Sequence, residues 1–325
     1  MELFFVLSGF LITEQLYLSR RASNYFGGFY ARRILRIVPL FCVAVVLGLV
    51  LVRVLGARGH TGTATPVWIL LSGLFVINWI EPIGYSLPAF PQSWSLAVEE
   101  QFYLVWPAVV RGCASRLFGV TVGLAVVALA VRTVMLLAGA THDMVYMWTV
   151  CRMDALAFGA IAALLVQRWR VSDLVPRPWP WVAGALVVAL IGALLTRLYA
   201  NNAWATQTLG YTCLGVAFML LLLGAVANDL RHARLLAVLR SRLLASVGRY
   251  SYGMYVFHMF FTIFAAAWLK RLAAPFGDVR MLVCALCVIA LSYGAAFVSY
   301  HLCEKYFLRL GRRYFAPRRH AHARP

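Results

Sequence analysis

Residues 117–138 read LFGVTVGLAVVALAVRTVMLLA, with Arg132 as the one charged side chain among them. A helix that crosses the hydrocarbon core of a bilayer needs about 17–25 mainly apolar residues. No turn signal interrupts the run, so it reads as a spanning helix. The same test selects Met1–Leu18, Phe29–Val52, Trp94–Val110, Trp148–Gln167, Trp179–Leu198, Gln207–Ala227, Tyr250–Leu269 and Met281–Cys303. Pro66–Ile80 is apolar but short for a span. The fold class is therefore all-α: a polytopic helical membrane bundle of about nine spans plus one short re-entrant segment.

Composition agrees. Of the 325 residues, 63% are hydrophobic and 13% charged. Mean hydropathy is +0.80. Soluble domains run at about 45–50% apolar and about 25% charged, so a soluble globule, a disordered chain and a disulfide-knit secreted domain are excluded. The formal net charge is +19. In a soluble chain such an excess points to nucleic acid, but here arginine between spans is a topology signal and a contact for lipid or phosphate. No nucleic-acid partner is expected. The seven cysteines sit mostly in apolar runs, and Cys284/Cys287 is a lone C-x-x-C inside a span, so no metal site is expected.

Sidedness follows from Lys and Arg. If Pro66–Ile80 enters and leaves on one side, the cytoplasmic segments hold 22 basic residues and the outer ones 5. If it crosses, the count becomes 8 inside and 19 outside. The positive-inside rule selects the first arrangement. It places the C-terminus in the cytoplasm, with 305–325 as a basic, disordered, lipid-facing tail after a domain of residues 1–304. Non-helical backbone at membrane depth must be buried in protein or line a wet cavity, so the re-entrant segment marks a site.

Charge inside spans is costly, at least ~2.5 kcal/mol near the bilayer centre, and needs a partner or a task. Arg32, Arg33 and Arg36 stand at the cytoplasmic mouth of the second span. They are either anchors or a grip for the phosphates of a nucleotide-bearing donor. In Trp94–Tyr103, Ser95, Glu99, Phe102 and Tyr103 share a face near the outer side. A Glu there is a general base, an orienting group or an ion-pair partner. Arg152 and Asp154 either compensate each other or line a polar cavity for a hydroxyl-rich acceptor. Ser251, Tyr255 and His258 recur at i, i+4, i+7 and either line a polar surface or serve structure. Arg132 lies deep in its span and requires a partner.

In order along the chain, these segments resemble the membrane acyltransferase 3 family. The stretches are Phe4–Thr13, Phe29–Pro39, Trp94–Pro107, Arg152-x-Asp154 with Gly159, and Ser251–His258. The resemblance implies a ten-span bundle in the bacterial inner membrane. It implies transfer of an acyl group, commonly acetyl, from cytosolic acyl-CoA as co-substrate to a hydroxyl of an extracytoplasmic saccharide or other surface acceptor, with no bound cofactor. It also implies a first span carrying a basic residue and a His. Met1 stands at the start of the family's second span, so the chain reads as N-terminally truncated. Carried over by motif are Arg32, Arg33 and Arg36 for the donor, Glu99 and His258 for catalysis, and Ser95, Arg152, Asp154, Ser251 and Tyr255 for the polar core. A saccharide or lipid transporter and a non-catalytic truncated paralogue remain as alternatives.

Overall fold

The computed structural model describes residues 1–54, 70–83, 92–170, 177–196, 204–230, 237–271 and 277–318. They are helical, with no strand among them. The helices are α1 (Glu2–Ser19), α2 (Tyr25–Val54), α3 (Ile77–Ile80), α4 (Ser93–Gly112), α5 (Leu117–Leu137), α6 (His142–Met147), α7 (Thr149–Gln167), α8 (Pro178–Leu195), α9 (Tyr211–Leu230), α10 (Arg242–Arg271), α11 (Gly277–Ser299) and α12 (Lys305–Phe315). Wide π turns occupy Thr206–Gly210 and Tyr300–Glu304.

Seven stretches of the described residues are long and apolar enough to cross a membrane: Glu2–Ser19, Tyr25–Val50, Leu117–Leu137, His142–Gln167, Pro178–Leu195, Thr206–Ala227 and Val279–Phe315. Two further expected spans are helices of sufficient length, α4 and α10, that carry charge: Glu99, Glu100 and Arg111 on one, Arg242, Arg249, Lys270 and Arg271 on the other. Large apolar side chains point outward along the bundle helices, among them Val126 and Val134 on α5 and Leu186 and Leu194 on α8. Such surfaces suit lipid, not water.

The chain divides into two compact units. The first comprises Met1–Arg21, Leu70–Ser86 and Ser93–Arg240. Its centre is α7, whose residues from Ala155 to Leu164 are all buried. A helix apolar all round belongs inside a bundle. Six of those ten residues are Ala or Gly, and without a hydrophobic drive between helices in lipid, close approach through small residues supplies the packing. The tightest crossing is with α1. A Cβ on Gly159 would strike the Val6 carbonyl oxygen and lie 2.6 Å from the Phe10 nitrogen. Reciprocally, a Cβ on Gly9 would strike the Leu156 carbonyl. The obstacles are backbone atoms, so no rotamer change relieves them. Gly159→Ala is expected to cost about 1–3 kcal/mol and to lower the thermal midpoint in detergent. Gly119→Ala on α5, with open space around its Cβ, is the matched control and gains up to ~1 kcal/mol. An unchanged midpoint for Gly159→Ala would refute the close crossing.

The segment 70–83 is not one helix. A helical turn ends at Gly73, the chain breaks over Leu74–Val76, and α3 restarts it. Phe75 takes φ 54°, a left-handed conformation unfavourable for a bulky residue. Pro66–Ile69, the start of the expected re-entrant stretch, lies outside the described residues.

The second unit comprises Ala22–Ile69, Leu87–Gln92 and Ser241–Pro325. Here α10 pairs with α11, and α2 packs against α12. Tyr250 sits among the rings of Tyr293, Phe297, Tyr300 and His301. The Tyr252 hydroxyl donates to the Ile37 carbonyl over 2.9 Å, joining α10 to α2. The expected disordered tail is corrected in part: Lys305–Phe315 is the helix α12. Glu304, Leu308, Gly311 and Phe315 recur at helical spacing and give it a face to bury against α2, which basic composition alone conceals. Residues 319–325 lie outside the described residues.

Candidate functional site

The first unit buries two ion pairs. Arg132, on α5, is 0% exposed and meets Asp154, on α7, at 2.7 Å. The same guanidinium donates to the Cys151 carbonyl at 2.5 Å, to the Thr212 hydroxyl at 2.5 Å and to the Thr208 carbonyl at 3.3 Å. Thr208 lies in the π turn that precedes α9. Such turns release carbonyls from the helical ladder, and here one faces the cation. Arg132 therefore ties α5, α7 and α9 into one node.

Arg152 pairs instead with Glu2 of α1. Its guanidinium lies 4.3 Å from the Tyr211 ring centroid, 5.3 Å from Tyr146 and 5.8 Å from Phe5. Trp94 packs on Tyr146 at 4.8 Å, extending the aromatic wall to α4. Cation–ring attraction strengthens when both groups are desolvated. Among the described residues, Nε and Nη1 of Arg152 have no hydrogen-bond partner.

This corrects the reading of Arg152 and Asp154 as a mutual pair. Two residues apart on a helix, they project about 200° around the axis from each other. Each finds its partner on a different helix.

A third network centres on Gln101 of α4. Its amide nitrogen donates to the Phe75 carbonyl at 2.6 Å and to Asn78 Oδ1 at 2.9 Å. Its oxygen accepts from Trp79 Nε1 at 3.0 Å and from the Thr149 hydroxyl at 2.5 Å. Asn78 in turn donates to Thr149 at 2.8 Å. Gln101 thus holds the left-handed Phe75 and joins the broken segment to α4 and α7. Strained backbone of this kind persists where its surroundings over-determine it. Sequence reasoning missed Gln101 as a site residue; the signal was its place directly after Glu99-Glu100.

Ser95 and Glu99 lie on the buried face of α4, 0% and 3% exposed. That face is fastened to α1 by the Ser8–Tyr103 hydroxyl pair and by Trp106 Nε1 donating to Thr13 at 2.8 Å. Beside α6, burial and then the charge of Asp143 push the Glu81 carboxyl up to about 7. Glu81 can exchange a proton at neutral pH.

The second unit carries the remaining candidates. Arg32 Nη1 donates to the Phe315 carbonyl at the end of α12. Arg33 lies 5.8 Å from the Phe29 ring centroid. Arg36 acts electrostatically on Glu304, a buried carboxylate in the second π turn that accepts from Ser299 at 3.2 Å. The arginines therefore have partners within the fold, and Glu304 is buried.

On α10, the three polar residues diverge in their bonding. The Tyr255 hydroxyl reaches the Gln92 carbonyl at 2.5 Å. Ser251 bonds the Gly248 carbonyl of its own helix at 2.9 Å. His258 Nδ1 lies 2.6 Å from the Tyr255 carbonyl. Since a carbonyl only accepts, Nδ1 carries hydrogen there and Nε2 is left as the basic nitrogen. His258 is half-buried. No cluster of three or more His, Cys, Asp or Glu suited to a metal ion occurs among the described residues.

Comparison with known proteins gives this arrangement a family. A model described as an acyltransferase domain matches residues 1–301. The peptidoglycan O-acetyltransferase OatA of Listeria monocytogenes is 27% identical over 274 residues, 79% of this chain and 43% of that protein. The O-acetyltransferase OatA of Staphylococcus aureus is 22% identical over 291 residues, 82% of this chain and 46% of its own length. The chain thus spans less than half the length of these curated relatives. No solved structure matches it. The match runs through α1, α4, α7 and α10, the helices that carry Glu2, Glu99, Arg152, Asp154 and His258, and on that basis the chain belongs to the acyltransferase 3 family.

Proposed function

We propose that this protein is a membrane O-acyltransferase. It moves an acyl group, acetyl in the simplest case, from cytosolic acyl-CoA to a hydroxyl of an extracytoplasmic saccharide. The observation that carries the reading is the family match across residues 1–301. Two relatives are named O-acetyltransferases, one of them a peptidoglycan O-acetyltransferase, which points to a cell-wall saccharide as acceptor.

In this reading Arg32, Arg33 and Arg36 meet the phosphates of CoA at the cytoplasmic end of α2. The thioester carbon–sulfur bond breaks and a carbon–oxygen ester bond forms. The proton leaves the acceptor hydroxyl for a base and ends on the CoA sulfur. Glu99, buried on α4, is the carboxylate that accepts the proton or orients the group that does. Arg152, walled by Tyr211, Tyr146 and Phe5, is placed to hold an oxygen-rich acceptor through its remaining donors. The enzyme resides in the bacterial inner membrane with its C-terminus in the cytoplasm.

The test uses membranes from cells carrying the native gene and from a deletion strain, each given acetyl-CoA labelled in the acetyl group. Gene-dependent label on the cell-wall saccharide, released by mild base as an ester must be, is the expected result. Equal labelling in the two strains would overturn the proposal. Gene-dependent movement of unlabelled saccharide would instead establish transport.

A further inference from the structure

The helix α12 begins after the family match ends at residue 301, so nothing in the acyltransferase reading accounts for it. It continues α11 through the π turn, and Val279–Phe315 is one 37-residue helical stretch. At ~1.5 Å per residue that is longer than the ~30 Å hydrocarbon core, so its last turns reach the headgroup region. It is also held in place. Beyond the Arg32 bond to Phe315, Asn24 Nδ2 donates to the Ala316 carbonyl at 2.9 Å. Asn24 Oδ1 accepts from the Arg318 amide at 2.9 Å. The Ser23 amide donates to the Arg318 carbonyl at 3.2 Å. Four hydrogen bonds thus fasten the end of α12 to the start of α2.

Its surface has three faces. Successive residues turn about 100° around a helix axis. Glu304, Leu308, Gly311 and Phe315 share one stripe, and Gly311 lies against Leu35 and Arg32 of α2. Tyr306, Leu310, Tyr314 and Phe307 share a second stripe and are exposed, Tyr306 by 55% and Tyr314 by 53%. Lys305, Arg309, Arg312 and Arg313 share the third, with the three arginines exposed. The apolar and basic stripes are about a third of a turn apart. No acidic residue occurs anywhere after Glu304.

We propose that α12 is an interfacial helix whose basic edge binds the headgroups of anionic phospholipid. The separation of the faces argues for this occupant. An interfacial helix sinks an apolar side, here Tyr306, Leu310 and Tyr314, into the acyl boundary and turns its cations to the headgroups. A soluble partner would leave the aromatic stripe in water. Four cations with no ion pair among the described residues complement phosphate oxygens, which Arg binds as a fork. Because α12 is already folded and tethered, binding lipid does not have to meet the entropy of ordering a tail.

The test places the full chain in nanodiscs of phosphatidylcholine, with or without phosphatidylglycerol, and counts co-purifying lipids by native mass spectrometry. Wild type is expected to enrich phosphatidylglycerol. At ~1 kcal/mol per basic residue at a lipid surface, each arginine removed lowers the enrichment about fivefold. Arg309→Gln/Arg312→Gln/Arg313→Gln should therefore abolish it. Amide exchange over 305–315 in phosphatidylcholine shows whether α12 is intact in the variant. If it is not, Arg309→Gln and Arg313→Gln singly carry the same test at the fivefold level. Equal lipid ratios in wild type, or enrichment retained by an intact triple variant, would overturn the proposal. So would enrichment erased by saturating coenzyme A, which would assign the face to the donor's phosphates. Transfer activity is not a readout here, so failure of the acyltransferase reading would leave this result untouched.

Discussion

Arg132→Met is expected to unfold the first unit far more readily than wild type, by about 3–5 kcal/mol. The substitution keeps an unbranched apolar stem in place of the arginine's, so less packing is lost than with alanine. What it leaves is Asp154, 1% exposed and without its cation. It also removes the hydrogen bonds that the Thr208 and Cys151 carbonyls accept from Arg132. Burying an unpaired charge costs far more than the pair contributes, because the two charges together have already met their desolvation penalty through mutual attraction. The double variant Arg132→Met/Asp154→Leu removes both charges and should recover most of the loss. The measurement is the thermal midpoint of the detergent-solubilised protein, followed by size-exclusion fluorescence. A single variant as stable as wild type would show that the pair is not formed, and a double variant no better than the single would assign the damage to packing.

Glu99→Gln should remove acyl transfer while leaving the protein inserted and folded. The substitution preserves shape and hydrogen-bonding capacity but not the ability to take up a proton. If Glu99 is the base or orients it, the rate should fall about 10²–10⁴-fold. Binding of acyl-CoA should stay near wild type, since the arginines proposed to hold the donor lie in the other unit. The comparison to make is initial rate against acceptor concentration in membranes of matched expression, with the thermal midpoint as a control for folding. Wild-type turnover in Glu99→Gln would end the catalytic role of that residue. Loss of rate together with a collapsed midpoint would reduce Glu99 to a structural group.

Much of this was legible before any coordinates. The runs of about twenty apolar residues announce helices one at a time, because each must satisfy its own backbone in lipid. Helical spacing places Ser95 and Glu99 on one face, and both are buried. The need of Arg132 for a partner followed from its depth. Which residue answers it did not, since Asp154 sits 22 positions away on another helix, and only helix packing brings α5 beside α7. The mutual-pair alternative for Arg152 and Asp154 failed on a point that the sequence does contain: residues two positions apart on a helix lie on nearly opposite sides. Glu2, the actual partner of Arg152, is 150 positions distant. Gln101 was missed because its role depends on the break at Phe75, and a strained left-handed residue leaves no compositional trace. In 305–315 the stripe Glu304, Leu308, Gly311, Phe315 was present, but a run of arginines suggests solvation and hides a periodicity of four residues.

The amino-acid sequence by itself determined that this is a helical membrane protein, where its apolar helices run, and which buried charges demand an explanation. Those properties are local: they depend on the hydropathy and spacing of neighbours along the chain. The tertiary structure alone decided that α7 lies at the centre of the first unit, that Arg132 answers Asp154 and Arg152 answers Glu2, and that Gln101 pins the break at Phe75. These are pairings across long separations. They are selected by which glycine and alanine surfaces let two backbones approach, and in lipid that close approach, not apolar burial, chooses one helix neighbour over another.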